Sequence, residues 1–273
     1  MVKNSDSLSV SRPVHRLTAD GSAPPVDDAV AIEEPLEIRV EGRPVAITMR
    51  TPGHDRELAA GFLLTEGVIT SAADIFEINA CPTTAGVTGN IIDVLLRRPE
   101  SVDFDRLTRH VFSASSCGLC GKATLDAVAD RFPPITTRPG ISLAALHRAA
   151  AALFDAQTTF QATGGLHAAA LVNTDGTLAV VREDVGRHNA VDKVLGHALL
   201  HEIQNPESQI QNLLVSGRIA FEIMQKALAA RIALVAGVSA PTSLAVDFAQ
   251  RHRQTLIGFL RPGRANLYAG ALA

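Results

Sequence analysis

The sequence predicts an α/β protein with a layered sheet, together with a smaller β-containing region. In the C-terminal half, short apolar runs typical of strands alternate with segments whose apolar residues follow helical spacing. In the N-terminal half, apolar and polar residues alternate around Glu41, Gly42 and Arg43, a pattern typical of a β-hairpin. The 273 residues are 47% hydrophobic and 19% charged, enough apolar material for one large or two modest domains.

The first element is an arm over residues 1–28. It is polar, contains Pro13, Pro24 and Pro25, and has few side chains that could be buried in a core. We therefore expect a flexible arm that belongs to no domain.

A small β-containing domain is predicted over residues 29–110. Its hairpin places three alternating apolar residues on one face, and a short amphipathic helix then follows and stops at a glycine. A buried strand completes it. The predicted elements are the hairpin with Leu36, Ile38 and Val40 on one face, the helix over residues 55–70 with Gly67, and the strand at 91–96.

Residues 111–140 form a segment rich in small residues that contains two cysteines. Cys117 and Cys120 lie in the run Ser-Ser-Cys-Gly-Leu-Cys-Gly, and residues 122–132 continue with helical spacing until two prolines stop the helix. The cysteines are therefore predicted to lie on a loop that enters a helix.

The α/β domain is predicted over residues 141–273. Strands and helices alternate throughout it, which predicts a sheet with helices on its faces. The predicted elements are a helix from Ser142, strands at 167–172 and 178–182, a helix from His188, a strand at 213–216, a helix at 219–229, a strand at 232–236, a helix at 242–252 and a strand at 255–260.

Composition excludes several classes of protein. The net charge is −3 and the basic residues are dispersed, so a general nucleic-acid-binding surface is not expected. Three cysteines do not suit a secreted disulfide framework, and the N-terminus has no signal-peptide core, so the expected location is the cytoplasm. The most apolar stretch, residues 227–240, is too short to span a bilayer and is interrupted by Arg231, so no membrane association is expected.

The Cys-x-x-Cys pair can form a disulfide, share a metal or pass on a sulfur atom. A zinc site needs further ligands, and the one other cysteine, Cys81, has no matching partner, so no metal is expected. A zinc deaminase would need a His-x-Glu motif, which the chain lacks. The role of Cys81 stays open.

Three interpretations of Cys117 and Cys120 remain. A helix N-terminus lowers a thiol pKa, which suits a disulfide oxidoreductase, although the serines before the pair depart from the usual preceding strand. The same thiolate would suit a persulfide carrier on an exposed loop whose glycines, Gly118 and Gly121, keep side chains out of the way. Alternatively, both cysteines pack as small apolar residues.

Polar and basic residues follow several predicted strands. Arg182, Arg187 and His188 surround a glycine at a helix start, where backbone amides can hold a phosphate. Ser216 and Arg218 follow the next strand, residues 239–242 the one after, and the glycine turn before His167 adds another candidate. Parallel strand ends meet at one edge, so a phosphate-bearing ligand is expected there.

The alternative is that Asp184 or Asn189 caps the helix and that the arginines pair with Glu183 or Asp184. The last candidate is a turn that could stack on a base and hold phosphates. It consists of Phe259, Leu260, Arg261, Pro262, Gly263 and Arg264. Pro262 has no amide hydrogen to offer a ligand, and the alternative for the whole turn is an exposed basic loop.

Taken together and in order, these motifs resemble one family. The runs SSCGLCG, TGGLHAAAL, REDVGRHNAVDKVLG, SGRIAFEIMQKA, SAPTSLAVDFA and FLRPGR with Tyr268 are similar to the FdhD family of formate dehydrogenase accessory sulfurtransferases. The resemblance covers residues 33–268.

The resemblance implies a sulfur carrier that takes sulfane sulfur from a cysteine desulfurase as a persulfide on Cys117. The acceptor would be the molybdenum cofactor, Mo-bis(molybdopterin guanine dinucleotide), bound through residues 259–264 before its insertion into formate dehydrogenase. The resemblance further implies a homodimer and a three-layer, cytidine-deaminase-like larger domain. Two alternatives remain from the residues themselves: a thiol-disulfide oxidoreductase, and a non-catalytic cofactor chaperone.

Overall fold

A computed structural model describes residues 8–19, 21–22, 24–82, 88–104, 131–201 and 212–273. The loop with Cys117 and Cys120 lies outside the described residues, and so does the helix predicted after it up to residue 130. The fold and the strand-end turns can therefore be compared with the sequence predictions, whereas the thiol loop cannot.

Within the region predicted as a flexible arm, the described residues form a ribbon of short strands. Strand β1 (Ser9–Val14) pairs antiparallel with β4 (Val26–Ala31), and β2 (Leu17–Thr18) pairs with β3 (Gly21–Ser22) between them. Most of the described side chains here are exposed or half-buried. The sequence did not predict these strands, because backbone hydrogen bonds can form a ribbon without an apolar pattern.

A four-stranded sheet follows, with the order β6-β5-β8-β7. Its strands are β5 (Glu34–Val40), β6 (Arg43–Arg50), β7 (Ile75–Pro82) and β8 (Thr88–Leu96). The predicted hairpin is confirmed: Leu36, Ile38 and Val40 are 0% exposed on one face. Glu41 and Gly42 both have positive φ, 52° and 73°, as a tight two-residue hairpin turn requires.

Helix α1 (Asp55–Thr65) crosses the buried face of this sheet, and Gly67 follows it with φ +67°. The predicted helix and its glycine stop are confirmed. Short 3₁₀ helices occur at Ala72–Asp74 and Pro99–Ser101. Cys81 lies in β7, which the sequence analysis did not predict, and its side chain is half-buried.

A six-stranded sheet forms the C-terminal half, with the order β10-β9-β11-β12-β13-β14. The three strands β11, β12 and β13 are mutually parallel, and β9, β10 and β14 are antiparallel to their neighbours. The strands are β9 (His167–Val172), β10 (Leu178–Asp184), β11 (Asn212–Val215), β12 (Leu234–Gly237), β13 (Thr255–Arg261) and β14 (Arg264–Ala269).

Helices cover both faces of this sheet, which confirms the predicted α/β fold. Along β9, Ala168 and Ala170 pack with α2 (Leu143–Ala156), whereas Ala169 and Leu171 belong to the core on the other face. That second face carries α4 (Arg187–Leu200), α5 (Phe221–Ala229) and α6 (Ser243–His252). Helix α3 (Thr158–Thr163) lies against β4 of the ribbon.

The two sheets share one apolar core because α1 packs directly on α4. The helices touch through glycines: a Cβ on Gly61 would lie 1.9 Å from the carbonyl oxygen of Asp192, and one on Gly196 would lie 1.8 Å from that of Glu57. Only glycines allow backbones to approach so closely. The predicted domain boundaries, 29–110 and 141–273, stay a prediction, since this core is continuous.

Candidate functional site

The predicted strand-end turns lie along one edge of the six-stranded sheet. We call this region the strand-end edge; it comprises the start of β9 with His167, residues 184–188 after β10, 216–219 after β11, 238–242 after β12 and the β13–β14 hairpin. Asp184 is paired with His167, and Val215 is paired with both Ala169 and Gly237. The strand register therefore brings these ends together.

Hydrogen bonds between turns join the edge into a continuous surface. The Ser216 amide donates to the Ala168 carbonyl at 2.9 Å, and the Ser216 hydroxyl accepts from the Ala168 amide at 2.9 Å. The Phe259 amide donates to the Ser239 carbonyl at 3.0 Å, which ties β13 to the turn after β12. These bonds connect neighbouring turns along the edge through the backbone and the Ser216 hydroxyl.

Helix α4 begins at this edge with Gly186 as its N-cap, and Gly186 has no side chain that could accept an amide of the first turn. Neither Asp184 nor Asn189 is the N-cap residue, although the Asp184 carboxylate accepts from the amide of Gly186 at 2.8 Å. Such a helix start presents backbone amides and a partial positive charge, the arrangement that suits a phosphate. Arg187 and His188 are the first two residues of the helix.

Arg187 and His188 each bury a nitrogen that has no hydrogen-bond partner among the described residues, Nε of Arg187 and Nε2 of His188. Buried polar atoms are nearly always paired in folded proteins, so two adjacent exceptions indicate a place where a ligand can complete the bonding. These two atoms are the strongest local sign of a binding site at the edge.

The histidines at the edge are neutral near neutral pH. Burial, with the positive charges of Lys226 and Arg187 nearby, lowers the pKa of His188 to about 3. Burial and the charge of Arg187 also lower the pKa of His167, against the opposing effect of Asp184. A neutral imidazole donates from one nitrogen and accepts at the other, so His188 and His167 can each offer a ligand one bond of either kind.

Gly217 allows the turn after β11 to come close to the α4 start. A Cβ there would lie 3.2 Å from Nδ1 of His167 and 3.9 Å from the Cβ of Arg187. Arg218, next in the chain, is exposed. The structure therefore brings together His167, Arg187 and the turn carrying Ser216 and Arg218, as the sequence pattern predicted.

Arg182, by contrast, does not face the edge. Its guanidinium forms a bidentate pair with the Glu57 carboxylate of α1, at 2.6 and 2.8 Å, and His197 contacts the same carboxylate at 2.9 Å. Burial would raise the pKa of Glu57, but hydrogen bonds from Arg182, His54 and His197 lower it far below its ordinary range. Glu183 accepts the first amides of α3, so the alternative pairing of Arg182 with Glu183 or Asp184 is also wrong.

Residues 259–264 form the β13–β14 hairpin. Phe259 has φ 51° and is 38% exposed, and Arg261, Pro262, Gly263 and Arg264 are exposed around the turn. Leu260 is 1% exposed and packs in the core on the α2 face, so only its backbone could meet a ligand. Tyr268 on β14 closely approaches Gly258, where a Cβ would lie 3.0 Å from its ring.

The pattern along the chain did not predict the buried ion pair that supports the strand-end edge. Asp184, at 0% exposure, pairs with Lys193 of α4 at 2.7 Å, and both are tied to Thr51 at the end of β6. Asn189, Asp192 and Lys193, polar residues that lie among the apolar residues of helix α4, were the available signal. Within the described part of the chain, no cluster of three His, Cys, Asp or Glu residues could hold a metal ion, and no helix there could span a membrane.

Comparison with known proteins gives consistent matches. A family model described as the FdhD/NarQ family matches residues 31–272. A relative named sulfur carrier protein FdhD, from Nocardia farcinica, is 48% identical, with 98% of this chain and 95% of the relative covered. One of the same name from Mycolicibacterium paratuberculosis is 49% identical, with 95% and 96% covered.

A solved structure also matches over nearly the whole length. It is a protein from Desulfotalea psychrophila described as a formate dehydrogenase accessory protein, with a TM-score of 0.76 and 28% identity. The match covers 97% of this chain and 98% of that chain. The fold described above is therefore shared with an experimentally solved protein.

Proposed function

This chain belongs to the FdhD/NarQ family, and from that membership we propose that it is a sulfur carrier protein that serves formate dehydrogenase. In this proposal it takes sulfane sulfur from a cysteine desulfurase as a persulfide on Cys117. It then transfers the sulfur to the molybdenum cofactor, Mo-bis(molybdopterin guanine dinucleotide), before that cofactor enters formate dehydrogenase. The observation that carries the proposal is the near-full-length match to relatives named sulfur carrier proteins.

Loading of the carrier is a thiol exchange. The Cys117 thiolate attacks the outer sulfur of the desulfurase persulfide, the donor S–S bond breaks, and the desulfurase cysteine leaves as a thiolate. Cys117 then carries the terminal sulfur, and neither an oxidant nor a reductant is consumed. Because the thiols must stay reduced, the cytoplasm is the expected location.

Delivery requires a second thiol. Attack of the Cys120 thiolate on the Sγ atom of Cys117 forms a Cys117–Cys120 disulfide and releases hydrosulfide, the group that would be passed to the cofactor. A dithiol reductant then restores the two thiols. In this scheme Cys120 resolves the persulfide and does not itself carry the sulfur.

The strand-end edge supports the acceptor part of the proposal. A guanine dinucleotide cofactor carries phosphates, and the edge offers the start of α4, the exposed Arg218 and the Nε atom of Arg187, which has no partner among the described residues. The half-exposed ring of Phe259, beside Arg261 and Arg264, suits stacking with a base and contact with further phosphate. A homodimer, implied by the family resemblance, belongs to the same proposal.

The test follows the sulfur by mass spectrometry of the intact protein after incubation with a cysteine desulfurase and L-cysteine. We expect wild type and Cys81→Ala to gain one sulfur atom, Cys117→Ala to gain none, and Cys120→Ala to gain the sulfur and retain it. A reversible disulfide without any added sulfur would identify a thiol-disulfide oxidoreductase instead. Restoration of formate dehydrogenase activity by Cys117→Ala in a deletion strain would identify a non-catalytic chaperone.

A further inference from the structure

We infer that Thr51 and Asp184 are positioning residues for the acceptor site: together they fix the turn that carries Arg187 and His188. The consequence for ligand binding rests on the proposed function, whereas the effect on the turn itself does not. Thr51 lies at the end of β6 in the four-stranded sheet, 133 residues away from Asp184 in the chain. The inference makes part of the small sheet a component of the binding edge.

Asp184 uses both carboxylate oxygens on the turn and on the small sheet. Oδ1 accepts from the Gly186 amide at 2.8 Å and from Nδ2 of Asn189 at 3.0 Å. Oδ2 accepts from the Thr51 amide at 3.1 Å and lies 2.7 Å from Nζ of Lys193. Four donors satisfy a carboxylate completely, so its position is determined on every side.

Thr51 holds the same turn from the other direction. Its hydroxyl accepts from the Val185 amide at 3.1 Å, and its carbonyl accepts from Nζ of Lys193 at 2.8 Å. The side chain is 0% exposed. The two amides immediately before Arg187, those of Val185 and Gly186, are therefore bound by one side chain from each sheet.

Asn189 closes the connection to β6. Its Nδ2 atom donates to the Met49 carbonyl at 2.8 Å, and its Oδ1 atom accepts from the Thr48 hydroxyl at 3.1 Å. Space in the turn is limited, because a Cβ on Gly186 would lie 2.9 Å from Nδ2 of Asn189. A shift of the turn would therefore break several of these bonds at once.

A second buried ion pair provides a comparison for the pair of Asp184 and Lys193. Asp192 and Lys226 are also buried, with Nζ at 2.7 Å from the carboxylate, and they bind the hydroxyl of Thr65. Their hydrogen bonds within the described residues tie α4 to α1 and α5 and involve none of residues 184–188, although the charge of Lys226 acts on His188. Asp192 is therefore a control for loss of a buried carboxylate without loss of the turn.

The experiment compares guanosine diphosphate binding, by calorimetry well below the unfolding temperature, among Thr51→Val, Thr51→Ser, Asp184→Asn and Asp192→Asn. We expect Thr51→Val to weaken binding about tenfold, because the unpaired Val185 amide loosens the turn. Asp184→Asn should weaken binding further, since its amide group faces the Thr51 amide and Lys193. Thr51→Ser should stay within roughly twofold of wild type and Asp192→Asn within roughly threefold.

Titration of the His188 ring by NMR provides a measurement that needs no ligand. If Thr51 positions the turn, the pKa of His188 rises in Thr51→Val toward its ordinary value, because the ring becomes more solvated. In Thr51→Ser, which keeps the hydroxyl, the pKa of His188 should stay as low as in the wild type. Thr51→Val changes no charge, so a shift reports movement of the turn.

Different failures are distinguishable. If wild type does not bind guanosine diphosphate, the acceptor part of the proposed function fails, and the His188 titration alone decides the positioning role. If wild type binds and Thr51→Val matches it in both affinity and His188 titration, the inference is overturned. Equal losses in Thr51→Val and Thr51→Ser, or in Asp184→Asn and Asp192→Asn, would also overturn it.

Discussion

The strand-end edge and the α1–α4 interface use similar polar side chains but differ in how completely these are paired. At the interface, the Asp192 carboxylate accepts from Lys226 and Thr65, and the Glu57 carboxylate binds Arg182 in a bidentate pair. At the edge, buried nitrogens of Arg187 and His188 have no partner among the described residues.

The difference separates structural from functional polar groups. A satisfied ion pair inside the protein fixes how two elements pack. Removing one partner leaves the other charge buried and unpaired, which destabilises the fold by the full desolvation cost of that charge. An unsatisfied buried donor lowers stability unless something else completes its bonds. We therefore expect substitutions at the interface to affect stability and substitutions at the edge to affect binding.

The largest loss of stability is expected at the two glycines through which α1 and α4 contact each other. Gly61→Ala and Gly196→Ala each place a Cβ within 1.9 Å of a backbone oxygen of the facing helix, so α1 and α4 must separate. We expect each to lower the free energy of unfolding by more than about 4 kcal/mol, measured by urea denaturation. Gly140→Ala is the control, since its nearest neighbour is a side-chain methyl at 3.4 Å. A loss below about 1 kcal/mol would contradict the close crossing.

The next effect is expected from the paired charges. Lys226→Met leaves the Asp192 carboxylate buried without its cation and should cost about 3–5 kcal/mol of unfolding free energy. The double variant Lys226→Met with Asp192→Leu should recover most of that loss, because it removes both charges. Chemical denaturation of the four proteins in the cycle measures this; a double variant as unstable as the single one would show that packing and not charge dominates.

A moderate effect is expected at the edge when pH changes. His188 has a pKa of about 3 in the folded protein and stays neutral above that pH, but in the unfolded chain it takes up a proton near its ordinary pKa of 6.5. The unfolded state then binds more protons, so stability falls as pH drops below 6.5, by at most about 1.4 kcal/mol per pH unit from this group. Unfolding free energies at pH 7, 6 and 5 should show the decline.

The matched variants identify the group responsible. His188→Gln should flatten the pH dependence, whereas His201→Gln, which replaces an exposed histidine, should preserve it. The half-buried His167 acts in the same direction and leaves a residual slope. If the slope of His188→Gln equals that of wild type, the buried neutral state of His188 is wrong.

The smallest effect on stability is expected from Arg187→Met, which keeps the aliphatic packing and removes an unpartnered guanidinium nitrogen. Unfolding free energy should stay within about 1 kcal/mol of wild type, while guanosine diphosphate affinity falls about tenfold or more. Arg138→Met removes the same charge from an exposed position outside the edge and should change neither quantity. If Arg187→Met lowered the unfolding free energy but not the affinity for guanosine diphosphate, the distinction between binding residues at the edge and stabilising residues at the interface would be wrong.

Much of the fold could be predicted because its signals are local. The strand His167–Val172 coincides with a short apolar run. Ser142 and Thr242 precede two of the helices, and their hydroxyl groups accept from the amides of Ala145 and Ala245. The turns after the strands were predictable for the same reason. Strand β14 (Arg264–Ala269) and the N-terminal ribbon were not, because their exposed or half-buried residues carry little apolar pattern.

The pairing of polar residues could not be predicted from the sequence. Arg182 is adjacent to Glu183 but binds Glu57, 125 residues away. Asp184 binds not only the nearby Gly186 amide but also Thr51, 133 residues away. Spacing along the chain indicates only contacts between residues of the same helix or strand. Partners across two sheets depend on how those sheets pack.

The sequence by itself determined the alternation of strands and helices, the positions of the strand-end turns and the family resemblance that the comparisons confirmed. Only the tertiary structure decided which side chains stay unpaired. Local propensity depends on neighbours a few residues apart, whereas burial and hydrogen bonding depend on residues brought together by folding. Arg187 and His188 were candidates in the sequence, but the packing of β6 beneath their turn is what the structure adds.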